Sequence, residues 1–416
     1  ARVTLVVVGP VDPALVSAKI TRRFGSMSAA AESVAPYASI DPPVEGIKST
    51  VITAPTFTST LTEFHFVASR PPDNAEGHRE ELMQHLALLV LGRRLADKRE
   101  RDLSHYSKPA INSDQPSFSP GFVHHSIQLG TPAGDWSDAV QFIETELRRG
   151  REGFTQAEIN EAVAGELKSL SDHSSSMAGQ SSASLANSLA GGIETGREWR
   201  SPSIVLAESQ ATLGGLKVAD VTAAFTRIFP TDSFQLVLFV PPDTHVKPER
   251  LLSAYEKSSR RTLKKNPAQE DELHFRYENF GPAGKIVKQE RVDDLNLSLL
   301  VFENGVRLNL RPSSFEPGQF RLRIVFPYNL SDTPDDRPGI ADLAGFLLLN
   351  SGLKKHKQAE LSRLLRLHDV KSGFVVNMGT PTLTLTGPAD ELSFSLQYLT
   401  ALLSDRDYHD DDEYYR

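Results

Sequence analysis

The sequence predicts an α+β protein built from repeated two-layer units, each a mostly antiparallel β-sheet covered by α-helices. Two stretches carry this prediction. In residues 49–101, two extended runs, the second of which alternates apolar and polar residues, precede one long helical pattern. Residues 299–352 repeat that order, with a hairpin, a further strand and an apolar helix. One α+β unit therefore occurs at least twice, with a period much longer than that of a solenoid.

Composition narrows the classes of protein that fit. The chain has 416 residues, 39% of them hydrophobic, which is enough to bury two to four cores at about 100–200 residues per domain. The net charge is −8 and the basic residues are dispersed, so nucleic acid is not expected as a partner. No apolar run approaches the ~20 residues of a membrane helix. The chain has no cysteine, which excludes disulfides and thiolate zinc sites.

The first 43 residues are predicted to end a domain. Val3–Val8 is a β-branched run typical of a buried strand, and Gly9–Pro13 is typical of a turn. A helix follows at Ala14–Phe24, and residues 26–43 are rich in Ser, Ala and Pro. Because the chain begins within a strand and ends without a closing element, we expect it to be an internal piece of a longer protein.

The second domain is predicted to span residues 44–242. After its strand pair and long helix, Thr155 and Glu158 form a capping box that starts another helix. The serine-rich segment Ser169–Gly192 fits a flexible substrate loop or a continued helix, and we favour the helix. Further predicted elements are a strand region at 117–129, helices at 136–149 and 218–229, and a buried strand at 234–240.

A charged linker is predicted at residues 243–296, and a third domain at 297–416. The linker has basic and acidic clusters and a Gly-Pro-Ala-Gly loop. The third domain opens with a hairpin around Asn304-Gly305, since Asn-Gly supplies the positive φ of a tight turn. A strand at 320–326, a hairpin at 375–387 and a helix at 391–403 follow.

Several motifs point to one family. The pattern R-E-x-x-x-x-x-Y runs from Arg99 to Tyr106, and G-F-T-x-x-E runs from Gly153 to Glu158. The opening of the third domain reads FENGVRLNLRPSSFEPG from Phe302 to Gly318. Together with the order of elements, these motifs resemble the insulinase/pitrilysin family of inverted-motif zinc peptidases. The resemblance implies metallopeptidase-like halves and a substrate-binding role for Arg99 and Tyr106.

The family's zinc motif, G-x-x-H-x-x-E-H, is degenerate here. In the family two histidines on one helix face hold zinc and the glutamate activates the bound water. Aligned on Gly339, this chain has Asp342, Gly345 and Phe346 at the His, Glu and His positions. None of the 12 histidines lies four residues from another, so neither H-x-x-E-H nor H-E-x-x-H occurs. We therefore expect no metal ligand and no cofactor in this chain, and zinc in an N-terminal domain of the parent protein.

Two weaker patterns have competing interpretations. His78-Arg79-Glu80-Glu81-Leu82, with His85, fits a divergent metal site or a solvated helix face, and Leu82 at the second ligand position favours the face. For the Arg99 and Tyr106 pair, the alternatives are substrate binding, or a local ion pair for the arginine with a tyrosine that only packs.

The resemblance implies the non-catalytic portion of a zinc-dependent metalloendopeptidase, forming the wall of a peptide-binding chamber. Expected partners are unfolded peptides or short polypeptides, and the remaining domains of the same protein or a homologous subunit. A periplasmic location is suspected from the resemblance alone. The alternatives are a non-catalytic scaffold or partner subunit of a peptidase-like complex, and an unrelated α+β protein with hairpin and helix repeats.

Overall fold

A computed structural model of the protein divides into two compact units, Ala1–Lys264 and Lys265–Arg416. It describes residues 4–27, 45–102, 106–116, 119, 121–263, 274–316, 318–326, 340–377 and 380–407. Within these ranges, no helix combines the length and apolar composition that crossing a bilayer requires. The chain has mixed α and β structure with mostly antiparallel sheets, as the sequence predicts.

The N-terminal segment contains helix α1, Pro13–Phe24. Asp12 caps it by accepting a hydrogen bond from the Ala14 N–H at 2.8 Å, and proline occupies the first helical position, where its missing N–H costs nothing. The strand predicted at Val3–Val8 is wrong for the described residues 4–8, which pair with no strand among the described residues. A β-branched run favours extended backbone, but a strand also needs a partner for its hydrogen bonds.

The first unit is organised by a five-stranded sheet in the order β1-β5-β2-β4-β3. Strands β2 and β4 pair over ten residues, from Thr60↔Thr131 to Ser69↔Phe122, and β5 pairs antiparallel with the other edge of β2. The edge strand β1 pairs parallel with β5. The strands are β1 Ile47–Thr53, β2 Thr60–Ser69, β3 Ala110–Asp114, β4 Phe122–Thr131 and β5 Phe234–Val240.

In the described residues of the first unit, one helix follows β2, five follow β4 and one follows β5. They are α2 Ala75–Asp102, α3 Trp136–Glu152, α4 Gln156–Ser176, α5 Ser182–Thr195, α6 Pro202–Leu213, α7 Val218–Ile228 and α8 Pro248–Ser259. The predicted capping box is confirmed, because the Thr155 side chain accepts from the Glu158 N–H and the Glu158 carboxylate accepts from the Thr155 N–H at 2.8 Å. The segment Ser169–Gly192 is helical but interrupted, since Ser181 caps a new helix.

The core of the first unit lies between one face of the sheet and helices α2, α3, α7 and α8. Alternate residues of β2, Phe64 and Phe66, project into it and are fully buried. Phe66 packs edge-on against Phe229 with ring centroids 4.9 Å apart. The close approach of α3 to α7 requires a glycine, because a Cβ at Gly150 would overlap the ring of Phe225. Aromatic packing thus holds the helices to the sheet.

The described residues of the second unit form three small antiparallel sheets. One has the order β6-β7-β8, another β11-β12-β9, and the third pairs β10 with β13. The predicted hairpin around Asn304 is confirmed, with Gly305 at φ +85°. The elements are β6 Ile286–Val292, β7 Leu297–Phe302, β8 Arg307–Leu310, β9 Gln319–Val325, α9 Ile340–Asn350, β10 Gly352–Leu353, α10 Gln358–Leu367, β11 Lys371–Asn377, β12 Thr380–Pro388, α11 Leu392–Ser404 and β13 Arg406–Asp407.

The segment predicted as a linker, 243–296, contains ordered structure in both units. In the first unit, α8 buries Leu251 and Tyr255 in the core, and Arg148 of α3 donates hydrogen bonds to carbonyls at its C-terminus. In the second unit, the backbone N–H of Arg276 donates to Nε2 of the buried His356 at 2.9 Å. The domain boundaries at residues 43, 242 and 296 stay predictions.

Candidate functional site

Helix α9 carries the degenerate zinc motif, and it packs tightly against a neighbouring strand at the position that aligns with the family's glutamate. Gly345 is buried, and a Cβ at this position would overlap the ring of Phe374 on β11. Phe346, at the second histidine position, is 50% exposed. The side chain of Asp342 lies outside the described part of the structure. A glutamate at position 345 would have to displace Phe374, so α9 cannot carry the family's motif in this packing.

Helix α2 carries the histidines and the glutamate of the possible divergent metal site, and each of these side chains has its own partner. His78 Nε2 lies 2.8 Å from Asp73 Oδ1, and His85 Nε2 lies 2.9 Å from Glu166 Oε2. Glu81 accepts from Arg197. Among the described residues, no group of three or more His, Asp or Glu side chains is placed to hold a metal ion. The zinc that the family's fold implies therefore does not fit the described residues of α2 or α9.

One guanidinium bridges two carboxylates, one just before α2 and one within it. Arg197 lies between Asp73 and Glu81, with Nη1 3.1 Å from Asp73 Oδ1. Asp73 also accepts from the backbone N–H of Glu198 at 2.8 Å. This backbone hydrogen bond, followed by the one with His78, holds the pKa of the Asp73 carboxyl well below its ordinary value. The segment between α5 and α6 is thereby attached to the start of α2.

A polar cavity of about 400 Å³ lies beside this cluster, and His125 of β4 contributes to its wall. His125 is 3% exposed, and its Nδ1 lies 2.8 Å from the Ser113 hydroxyl. Burial, with a smaller contribution from His124, lowers the pKa of His125 to about 4, so the ring is neutral at pH 7. The walls also include the polar side chains of Arg70, Arg200, Glu198 and Gln115.

The two predicted substrate-binding residues, Arg99 and Tyr106, are in contact, and the contact is made by the backbone carbonyl of the tyrosine. Arg99 donates from Nε and Nη2 to the Tyr106 carbonyl oxygen at 2.9 and 2.6 Å. The Tyr106 side chain is 3% exposed and belongs to the hydrophobic core. Burial, with additional contributions from Asp135 and Asp138, raises the pKa of Tyr106 to about 12. The phenol is thus in the core in this conformation, and substrate binding by Arg99 and Tyr106 stays a prediction.

Two features of this region were not predicted from the sequence. The cavity joins residues from α2, β3, β4 and the α5–α6 connection, and no local motif marks it. Arg197 contacts Glu81 across 116 positions of sequence. The only available signal was the HxxE pattern of His78 and Glu81, which identifies one side of the cluster but not its cation.

Known proteins resemble this chain in structure. No protein-family model and no curated protein sequence matches it. The ferredoxin protease FusC, solved in complex with Arabidopsis ferredoxin, superimposes with a TM-score of 0.59 at 14% identity, covering 96% of this chain and 44% of FusC. The periplasmic protease PqqL from Escherichia coli gives a TM-score of 0.55 at 15% identity, covering 96% and 44%.

Pitrilysin is similar in structure to a comparable extent, with a TM-score of 0.55 at 16% identity, covering 97% of this chain and 42% of pitrilysin. The chain therefore spans less than half the length of each of these three proteins. At such low identities the comparison establishes the fold alone. The resemblance predicted from the sequence is confirmed at this level: the chain has the fold of the insulinase/pitrilysin peptidases.

Proposed function

We propose that this chain is the non-catalytic portion of a zinc-dependent metalloendopeptidase and forms part of the wall of a peptide-binding chamber. One observation carries the proposal: the peptidase fold spans almost the whole chain, while the helix aligned with the zinc motif is packed against Phe374 at Gly345. A helix with this packing supports a sheet and supplies no metal-bound water. Hydrolysis then depends on a zinc-bearing domain outside this chain, in the same protein or in a homologous subunit.

The proposed contact with peptide substrates uses Arg99 and Tyr106. The arginine side chain is partly buried and already donates twice to one carbonyl oxygen, so its guanidinium is fixed in orientation. A guanidinium presents five N–H donors in a fixed fork, a geometry suited to a peptide carbonyl. Because the Tyr106 phenol lies in the core, its role in this proposal is to position Arg99 through the backbone.

A periplasmic location belongs to the same proposal. It is supported by the structural similarity to PqqL, which is described as a periplasmic protease of Escherichia coli. Fractionation of cells that express the full-length parent protein tests this location, and recovery of the protein only with cytoplasmic markers would contradict it.

Zinc binding and peptide cleavage can be measured on the isolated 416-residue chain. We expect metal analysis to find zinc well below one equivalent, and we expect no turnover of unstructured peptides. Adding a chelator should leave the thermal stability of the chain unchanged, because no metal contributes to its folding. Peptide cleavage that a chelator abolishes and zinc restores would overturn the proposal.

Arg99→Ala in the full-length parent protein tests the chamber contact. We expect weaker peptide turnover with unchanged folding of the domain, since the substitution removes donors near the helix end without opening a core cavity. Arg99→Lys is the matched variant, because lysine keeps the charge but not the forked geometry that donates twice to one carbonyl. Unchanged turnover in both variants would remove Arg99 from the substrate site.

The sequence of the parent protein distinguishes the proposal from a scaffold role. An H-x-x-E-H motif in another domain is expected for a metalloendopeptidase. A parent without that motif would make the chain a scaffold or partner subunit.

A further inference from the structure

A buried histidine holds the chain near the start of the second unit. The backbone N–H of Arg276 donates to Nε2 of His356 at 2.9 Å. His356 is 1% exposed and lies between β10 and α10, where its own N–H donates to the Leu353 carbonyl at 3.0 Å. Its ring stacks with that of Phe275, with centroids 5.4 Å apart and planes 5° from parallel. One side chain thus attaches two consecutive residues to the second unit.

The contacts of the ring fix its protonation state. A backbone N–H only donates, so Nε2 of His356 is the accepting nitrogen and carries no proton. The proton of a neutral imidazole is then on the other nitrogen. Nδ1 lies 3.0 Å from Oε2 of Glu360 on α10, and it donates to this carboxylate. The attached ring is therefore the neutral Nδ1–H tautomer, with both nitrogens in hydrogen bonds.

Protonation of His356 conflicts with the hydrogen bond from Arg276. An added proton must go to Nε2, because Nδ1 already has one. The new Nε2–H and the Arg276 N–H would then be two donors facing each other at 2.9 Å, and a buried donor without an acceptor is costly. The ring therefore binds the proton only when the Arg276 N–H moves away from Nε2.

The charged groups around the ring act in opposite directions. Burial has the largest effect and lowers the pKa of His356. The Glu360 carboxylate raises this pKa through its hydrogen bond and its charge, whereas the positive charges of Arg276 and Lys355 lower it. The net pKa of His356 is below its ordinary value of 6.5. The neutral form that accepts from Arg276 is thus favoured while the chain is attached.

The next residue along the chain is held by contacts that do not depend on mild acid. The Tyr277 hydroxyl donates to Asp405 Oδ2 at 2.8 Å and accepts from the Lys355 N–H at 3.1 Å. Burial, followed by the hydrogen bond with Asp405, raises the pKa of Tyr277 to about 12. Hydrogen bonds from Lys354 and Tyr277 lower the pKa of Asp405 below its ordinary value of 3.8. Between pH 7 and pH 5 the phenol thus stays neutral and the carboxylate stays ionised.

We propose that His356 is a pH-sensitive anchor for the chain near the start of the second unit. With Nε2 unprotonated, the ring holds the backbone at Arg276, and protonation of Nε2 releases this backbone while Tyr277 stays in place. The two units divide at Lys264 and Lys265, so the released residues lie shortly after that division. Acid thereby loosens the chain at this point and leaves the helices and sheets of the second unit folded. The anchor does not depend on the peptidase role proposed above.

Hydrogen exchange of the full 416-residue chain tests the anchor. When the bond opens, Nε2 of His356 is free to bind a proton with an ordinary pKa near 6.5, so attachment is complete above this pH and weakens below it. We expect the protection factor of the Arg276 amide, which corrects for the intrinsic effect of pH on exchange, to fall about five- to twentyfold from pH 7 to pH 5. A constant protection factor, or an equal fall in the amides of β12, would overturn the proposal.

Nitrogen NMR of the histidine ring tests the tautomer directly. At pH 7 we expect the proton of His356 on Nδ1 and a nitrogen without a proton at Nε2, in long-range proton–nitrogen spectra. A proton on Nε2 at pH 7 would refute the proposal, because that nitrogen could not accept from the Arg276 N–H.

Two variants separate the ring from its surroundings. His356→Gln keeps an acceptor oxygen for the Arg276 N–H and does not titrate, so protection should be the same at pH 7 and pH 5. Glu360→Gln removes the carboxylate that favours the imidazolium, so the fall should become larger and approach about twentyfold. Glu360 is partly exposed, and this variant keeps the test decisive if His356→Gln misfolds. The same fall in both variants as in the parent chain would contradict the role of His356.

His274→Gln and His368→Gln are the matched controls. His274 is exposed and lies two residues before Arg276. His368 stacks on Phe394, which contacts Phe275 edge-on. Both variants should keep the pH dependence of the Arg276 amide. Loss of that dependence in either variant would assign the titration to a different histidine and refute the proposal.

Discussion

A single methyl group at Gly345 tests the packing of the degenerate motif helix. In an open helix interior, Gly→Ala stabilises by up to about 1 kcal/mol, because alanine has the higher helix propensity. At Gly345 the new Cβ would overlap the Phe374 ring, and overpacking of a core costs about 1–3 kcal/mol. We therefore expect Gly345→Ala to destabilise the second unit by about 1–2 kcal/mol despite the gain in propensity.

Gly191→Ala is the matched control. Gly191 lies within helix α5, and a Cβ there would meet nothing within 4 Å. We expect this variant to be stabilised by about 0.5–1 kcal/mol. Urea denaturation followed by circular dichroism measures both variants, and hydrogen exchange of α9 amides assigns the loss to the second unit, because the two units need not unfold together.

A double variant identifies the cause. Phe374→Leu shortens the side chain that the new methyl group meets, so Gly345→Ala should cost less in this background than in the parent. The difference between the two costs measures the clash itself. The reasoning is refuted if Gly345→Ala stabilises the protein as Gly191→Ala does, since α9 would then have room for a larger residue at the glutamate position.

Two further predictions concern buried titratable groups in the first unit. In the folded protein the pKa of His125 is lowered from 6.5 to about 4. Between these two pH values only the unfolded chain binds the proton, which favours unfolding. The stability contributed by this group is therefore full above pH 6.5 and falls by about 3 kcal/mol as the pH decreases to 4. Urea titrations at several pH values should show a smaller loss for His125→Leu, because that variant has no imidazole at this position to protonate. Arg94→Ala should cost about 3–5 kcal/mol at pH 7, because Arg94 donates to both oxygens of the buried Glu158 at 2.5 and 2.8 Å. Burial alone would raise the pKa of Glu158, but hydrogen bonds from Arg94 and Thr155 outweigh burial, and the net pKa is lowered. The cost of Arg94→Ala should therefore shrink below pH 4.5, where the carboxylate becomes protonated. A cost that does not change with pH would contradict this pairing.

The local pattern of residues was sufficient to predict many helices, strands and turns. Thr155 and Glu158 start α4 because both partners of a capping box lie within one helical turn. Asn304-Gly305 forms the hairpin turn because glycine adopts the positive φ that the turn needs. The edge strand β3, Ala110–Asp114, was missed, because it is short and its last three residues are polar and exposed. Its place is set by pairing with β4.

The sequence by itself determined that two α+β units follow each other and that no family zinc motif is present, because hydrophobic periodicity, turn residues and ligand spacing are local properties. Only the tertiary structure decided what replaces that chemistry. The packing of Gly345 against Phe374 and the ion pair of Arg197 with Glu81 join residues distant in sequence. Their partners are chosen by how strands and helices meet, and a linear pattern does not encode that choice.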